Sequence, residues 1–231
     1  MGSERWNRTL ADLVAEVPGR AAVFDRLGLD YCCHGQRLLS DACAAAGLHA
    51  ESISDLIDMP GRPGTDGADL AGDPVALVDD ILAHHRYLRD EMPALVTLAG
   101  KVVGIHGGRH RELVQLQELV TALWAELEPH LDTEETVLFP AICRLQGGER
   151  DLMYGPVRTM VREMTAEHER AGDLLGTLRE TTNGYTAPAD GCDSYRSLYD
   201  RLADLATDTH LHIHKENNLL FPSIGQLPPV D

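Results

Sequence analysis

The strongest constraint on this chain is an eleven-residue pattern that occurs twice, as HLDTEETVLFP from His130 to Pro140 and as HIHKENNLLFP from His212 to Pro222. Each copy opens on His-x-x-x-Glu. Residues four apart share one helix face at about 5–6 Å. His130 with Glu134, and His212 with Glu216, therefore have metal-ligand spacing. Upstream of each copy lies a further histidine, His85 in AHHRYLRD and His168 in AEHERAGD, at nearly the same offset. The second half reproduces the first, which predicts a paired helical hairpin.

Composition agrees with helix. Of 231 residues, 43% are hydrophobic, 25% charged and only 5% aromatic, and no run alternates β-branched residues as a strand would. Lys+Arg number 20 against 37 Asp+Glu, a net charge of −17 that repels phosphate backbones and anionic headgroups. Neither nucleic acid nor a membrane is expected as a partner on that ground. The start, MGSERWNRTLADLV, lacks the apolar centre of a signal sequence, and no stretch approaches the roughly 18 apolar residues of a membrane span. A cytoplasmic protein is expected. Five cysteines, Cys32, Cys33, Cys43, Cys143 and Cys192, are odd in number and irregular in spacing, which argues against a disulfide framework and a thiolate zinc site.

In chain order, residues 1–58 read as a small helical domain. Thr9 caps its first helix, Pro18 ends that helix or opens the next, and Gly28 stops the second. DYCCHG follows, and helical patterning resumes from Leu38 through Ile57. A unit this small needs neighbours, or a partner chain in a homodimer, to bury its apolar face. Residues 59–73, rich in Gly, Pro and Asp, read as a linker. Asp73 as N-cap and Pro74 at the first helical position open a domain over 74–224.

Four long helices are predicted there, in an all-α, up-down-up-down four-helix bundle. Their apolar seams run through Ile81, His85, Leu88, Met92, Leu95 and Val102, then through Leu113, Leu116, Val120, Leu123, Leu127, His130, Glu134 and Val137. The third seam joins Val157, Met164, His168, Ala171, Leu175 and Leu178. The fourth joins Tyr195, Leu198, Leu202, Leu205, Thr209, His212, Glu216 and Leu219. All six candidate ligands face the core; His84, His210 and His214 fall beside the seams, and His106 falls in a Gly-rich turn. Pro93 and Pro129 should bend their helices, and Pro156 should open the third.

For any one histidine on an apolar stripe, a satisfied core residue is the plainer reading. Four imidazoles and two carboxylates buried together cost several kcal/mol per charge unless something neutralises them, which predicts metal. Six ligands divide naturally between two ions roughly 3.5–4 Å apart, bridged by Glu134 and Glu216, with positions left for an oxo or hydroxo bridge and a small ligand. Iron, manganese and zinc all suit such a donor set.

His85, His130-x-x-x-Glu134, His168 and His212-x-x-x-Glu216 together resemble the hemerythrin-like di-iron domains. With the LFP tails, GP at 155–156, ENN at 216–218 and the Cys32–Cys33 pair, nearly the whole chain resembles the RIC (repair of iron centres) family. The resemblance implies two non-haem Fe ions, with the four histidines as terminal ligands and Glu134 and Glu216 as bridges. It implies repair of iron–sulfur clusters damaged by nitrosative or oxidative stress, by iron donation or by reduction of nitric oxide to nitrous oxide. The expected partners are damaged iron–sulfur proteins and a small diatomic, NO or O2. The alternative is a non-enzymatic oxygen or redox sensor. The family's DYCCGG stands here as DYCCHG, so His34 adjoins the thiols. Cys32 and Cys33 read either as a redox pair or iron relay, or as inert thiols.

Overall fold

In a computed structural model of the protein, residues 5–49, 53, 56, 57 and 73–225 are described, and every regular element among them is helical. The linker expected at 59–73 lies outside the described residues except for Asp73, as do residues 50–52, 54 and 55 of the stretch expected to be helical through Ile57. Helices α1 (Leu10–Glu16), α2 (Ala21–Leu27) and α3 (Leu39–Ala45) come first. The long helices are α4 (Pro74–His106), α5 (Glu112–Thr133), α7 (Arg150–Thr181) and α8 (Asp193–Lys215), with short α6 (Phe139–Gln146) and α9 (Phe221–Gly225). Cα packing divides the chain into one unit of residues 1–81 with 210–231 and another of residues 82–209. Both boundaries fall inside helices, α4 and α8.

In the unit 82–209 the pairing is antiparallel throughout. His84 pairs with Asp208 at 2.8 Å, Glu91 with Arg201 at 2.6 Å and His106 with Cys192 at 3.1 Å, so α4 descends as α8 climbs. Arg89 on α4 meets Asp132 at the far end of α5, and Arg170 and Glu167 on α7 meet Glu126 and His130 on α5. Up-down-up-down topology follows. Leu88, Met92, Leu95, Leu113, Leu116, Val120, Leu123, Leu175, Leu198, Leu202 and Leu205 are buried, as their spacing predicts.

The other unit holds the N-terminal helices. Thr9 Oγ1 accepts the Asp12 N–H at 3.0 Å and caps α1, while Gly28 ends α2 at a φ of 69° that glycine tolerates best. The N-terminal helices find neighbours in residues 210–219 of the same chain. His210 bonds Asp25 at 2.8 Å, and the His214 ring stands edge-on to Tyr31 with centroids 5.8 Å apart. Asn218 donates to the carbonyl of Cys32 at 2.9 Å. At Gly35, a Cβ would lie 2.4 Å from the Tyr31 carbonyl oxygen, 2.9 Å from Ala11 Cβ and 3.0 Å from Asn218 Oδ1. Asp73 caps α4 by accepting the N–H groups of Val75 and Ala76 at 3.0 and 3.1 Å.

Three expectations need correction. Pro156 lies inside α7, which starts six residues earlier at Arg150. His106 is the buried last residue of α4, bonded to Cys192, and only then does the chain turn. Val137 is 49% exposed and Leu219 only half-buried, whereas Leu138 and Leu220 are fully buried. The cause is a π-turn in each copy of the repeat, Glu134–Leu138 and Glu216–Leu220, closed by i→i−5 bonds from Phe139 N–H to Glu134 C=O and from Phe221 N–H to Glu216 C=O. One extra residue in the turn moves the seam on by one. A proline follows each π-turn, Pro140 or Pro222; it has no N–H to give, and its ring clashes with the carbonyl four residues back in a regular helix.

Candidate metal centre

In the unit 82–209, α4 supplies His85, α5 supplies His130, the first residue of the π-turn is Glu134, and α7 supplies His168. All four are at most 4% exposed. The Nε2 atoms of His85 and His130 lie 3.4 and 3.3 Å from Glu134 Oε2, and that of His168 lies 3.9 Å from Oε1. His130 and His168 face each other Nε2 to Nε2 at 3.2 Å. The geometry is a carboxylate with three imidazole nitrogens converging on it.

The outward nitrogens are held by carboxylates. His85 Nδ1–H donates to Glu135 Oε1 at 3.0 Å, and Arg89 also reaches that oxygen, at 3.2 Å. His130 Nδ1–H donates to Glu167 Oε2 at 2.8 Å. With a cation at the centre, each ring would keep its proton on Nδ1 against that carboxylate and turn the Nε2 lone pair inward. A cation between these nitrogens and the buried Glu134 carboxylate would meet a negative charge and two imidazole nitrogens at once. A carboxylate behind a ligating histidine is also the usual support in metal sites. The donor set fits iron. Neither Glu135 nor Glu167 stands out in sequence, although each adjoins a candidate ligand, Glu134 or His168.

In the other unit, His212 and Glu216 are buried to 1% and 0% exposure, with Nε2 and Oε1 at 3.0 Å. This is the second copy of the motif, again with its glutamate opening a π-turn. His214, two residues on, donates from Nδ1 to the Tyr31 carbonyl at 3.3 Å, and burial pushes its pKa down to about 4. It serves as an anchor for the N-terminal helices, as does His210.

The cysteine turn lies in the same unit. Asp30 Oδ1 accepts the N–H groups of Cys32 and Cys33 at 3.1 and 2.9 Å, and His34 Nδ1 bonds the other carboxylate oxygen at 2.6 Å. Burial works against the Asp30 charge, but these bonds outweigh it and hold its pKa below the ordinary value. The Cys32 thiol is pushed well above its ordinary range by the Cys33 thiol, then by burial and the Asp30 carboxylate. The sulfurs of Cys32 and Cys33 stand 3.7 Å apart, with no disulfide between them.

Comparison with known sequences agrees with both halves of this description. The hemerythrin HHE cation-binding domain matches residues 76–224, and the domain of unknown function DUF542 (ScdA_N) matches residues 6–58. The chain is 32% identical over 219 residues to the iron-sulfur cluster repair protein YtfE of Escherichia coli, covering 94% of this chain and 96% of that one. It belongs to the hemerythrin-like iron–sulfur cluster repair family. A probable iron-sulfur cluster repair protein of Haemophilus influenzae is 35% identical over 220 residues, covering 93% of this chain and 95% of that one. Both His-x-x-x-Glu motifs of this family member lie in the HHE match, and Cys32–Cys33 in the DUF542 match. No helix among the described residues is long and apolar enough to cross a membrane.

Proposed function

We propose that this protein holds two non-haem irons between His85, His130, Glu134, His168, His212 and Glu216, and that it restores iron–sulfur clusters damaged by nitrosative or oxidative stress in the cytoplasm. The reading rests chiefly on the convergence of three buried imidazoles on Glu134, two of them with their outer nitrogens tied to carboxylates. The equivalent buried pair His212–Glu216 supports a second half-site of the same kind, with Glu134 and Glu216 as bridges. Support for the task comes from the relatives, which carry the repair name over nearly their whole length. The family matches support a division into 1–58, a linker over 59–73, and 74–224.

When bound, the irons supply redox electrons for a small diatomic ligand and are themselves the material a damaged cluster lacks. The chain's part is to hold the ligands ready. Glu135 and Glu167 fix the ring orientations and keep the Nδ1 protons, so His85 and His130 offer Nε2 without reorganising. Burial excludes bulk water around Glu134. A small cleft lined by Glu126, Leu127, His130, Glu167, His168 and Ala171 gives an approach to the His130–His168 edge for a ligand the size of nitric oxide.

Metal analysis of anaerobically purified protein is expected to give two irons per chain; a folded chain that is metal-free and takes up no iron on reconstitution would sink the proposal. A single turnover of the reduced protein with nitric oxide then separates the two activities. Nitrous oxide marks reduction. Its absence, with iron passing to an apo-cluster protein, marks donation.

A further inference from the structure

We propose that Asp30, Cys32 and Cys33 form a second, exchangeable site that takes one divalent cation, through which ferrous iron enters or leaves the chain. The exchange role rests on the di-iron reading above; the site itself rests on the geometry of the turn. Cys32 Sγ lies 3.7 Å from Cys33 Sγ and 3.3 Å from Asp30 Oδ1, and ligand atoms from all three residues lie within 4.8 Å of one another. A tetrahedral ion with metal–sulfur bonds of about 2.3 Å and a metal–oxygen bond of about 2.1 Å has edges of about 3.8 Å between sulfurs and about 3.6 Å between sulfur and oxygen. The two edges that meet at Cys32 Sγ, 3.7 and 3.3 Å, already stand close to that spacing. A disulfide needs its sulfurs about 2.0 Å apart, little more than half the separation found here.

The hydrogen bonds of the turn hold its backbone and the Cys32 thiol to one carboxylate oxygen. Asp30 Oδ1 holds the two N–H groups, which would suffice with any side chains at 32 and 33, yet the Cys32 sulfur is also turned to that oxygen. His34 steadies the carboxylate from its other side. Exposure rises across the donors, from buried Cys32 through part-exposed Cys33 to exposed Asp30, so the site opens outward as exchange requires. The buried His212–Glu216 pair has no such opening. Asn217 and Asn218, the residues after Glu216, donate to the Cys32 carbonyl at 3.4 and 2.9 Å and tie the turn to the backbone beside that ligand.

On loading, both thiols lose their protons to solvent, two metal–sulfur bonds form, and Asp30 supplies an oxygen. The fourth position goes to water or to a ligand of the receiving protein. The ion keeps its oxidation state, and two protons are released per ion bound.

Cobalt(II) is a suitable probe, added anaerobically to the iron-loaded full chain. A thiolate-to-cobalt charge-transfer band saturating at one cobalt per chain is expected, with release of two protons. Cys32→Ser and Cys33→Ser should each abolish that band. Asp30→Asn keeps an acceptor for the turn and should weaken cobalt binding by about tenfold or more. No band at one equivalent, or a band that persists in the double serine variant, overturns the site. For the exchange role, the double serine variant should keep its bundle iron but pass it to a ferrous chelator about tenfold more slowly; an unchanged rate overturns that role. Iron content in the same sample of the unsubstituted chain reads the buried centre independently, so absence of the cobalt band there with two irons bound condemns this site alone, and absence of bound iron there with the band present condemns the di-iron reading.

Discussion

At the scale of single residues, the burial of all six candidate residues was legible because His-x-x-x-Glu recurs in two copies, each with a further histidine upstream on an apolar seam. Their supports were hidden. An acidic residue next to a ligand looks like any solvated charge, and only the fold shows Glu135 and Glu167 turned to His85 and His130. Glu167→Gln and Glu135→Gln should each leave the helices intact and weaken iron retention roughly 10–100-fold, as measured by competition with a chelator. His110 gives a separate check on the electrostatics. The Asp190 hydrogen bond, helped by Glu112 and opposed by burial, raises its pKa, while His110 in turn lowers that of Asp190. A raised imidazole pKa means the pair is fully charged below the ordinary value and is lost as pH climbs through the raised midpoint. The His110 ring should therefore titrate above the ordinary value of about 6.5 by NMR, and Asp190→Asn should bring the midpoint down.

Secondary structure was legible wherever a cap or a stop has one chemical meaning. Thr9, Gly28 and Asp73 act as their types predict. Pro156 misled because proline at a helix start and proline within a helix look alike in sequence. The π-turns were invisible to a periodicity of 3.6 residues, and their trace was the drift of the seam from Val137 to Leu138 and from Leu219 to Leu220. If Pro140 enforces the first of them, Pro140→Ala restores an amide for the Thr136 carbonyl and lets the helix run regularly. The variant should melt no lower than the parent yet hold less iron, because Glu134 no longer leaves the helix at the required angle. Thermal melting and metal content on one preparation test both halves of that expectation.

For the molecule as a whole, folding and metal binding are one problem. Buried imidazoles and carboxylates weigh against the folded state until cations meet them, so anaerobic removal of iron should lower Tm; free metal at about 1,000 times its Kd contributes about 4 kcal/mol. The −17 charge adds general self-repulsion, and moderate salt should recover part of the loss. What the sequence concealed at this scale was the neighbour of the N-terminal helices, which proves to be residues 210–219 of the same chain, held through His210, His214 and Asn218. The crowding around Gly35 bears on how freely DYCCHG can be rewritten. Position 34 accommodates a histidine because its side chain lies at the exposed edge of the turn against Asp30, but a single methyl at 35 would strike the Tyr31 carbonyl and wedge Asn218 off Cys32. Gly35→Ala should accordingly speed amide exchange across residues 31–36 more than His34→Gly does. Of the two letters that follow the cysteines, natural drift is free to edit the first and must copy the second.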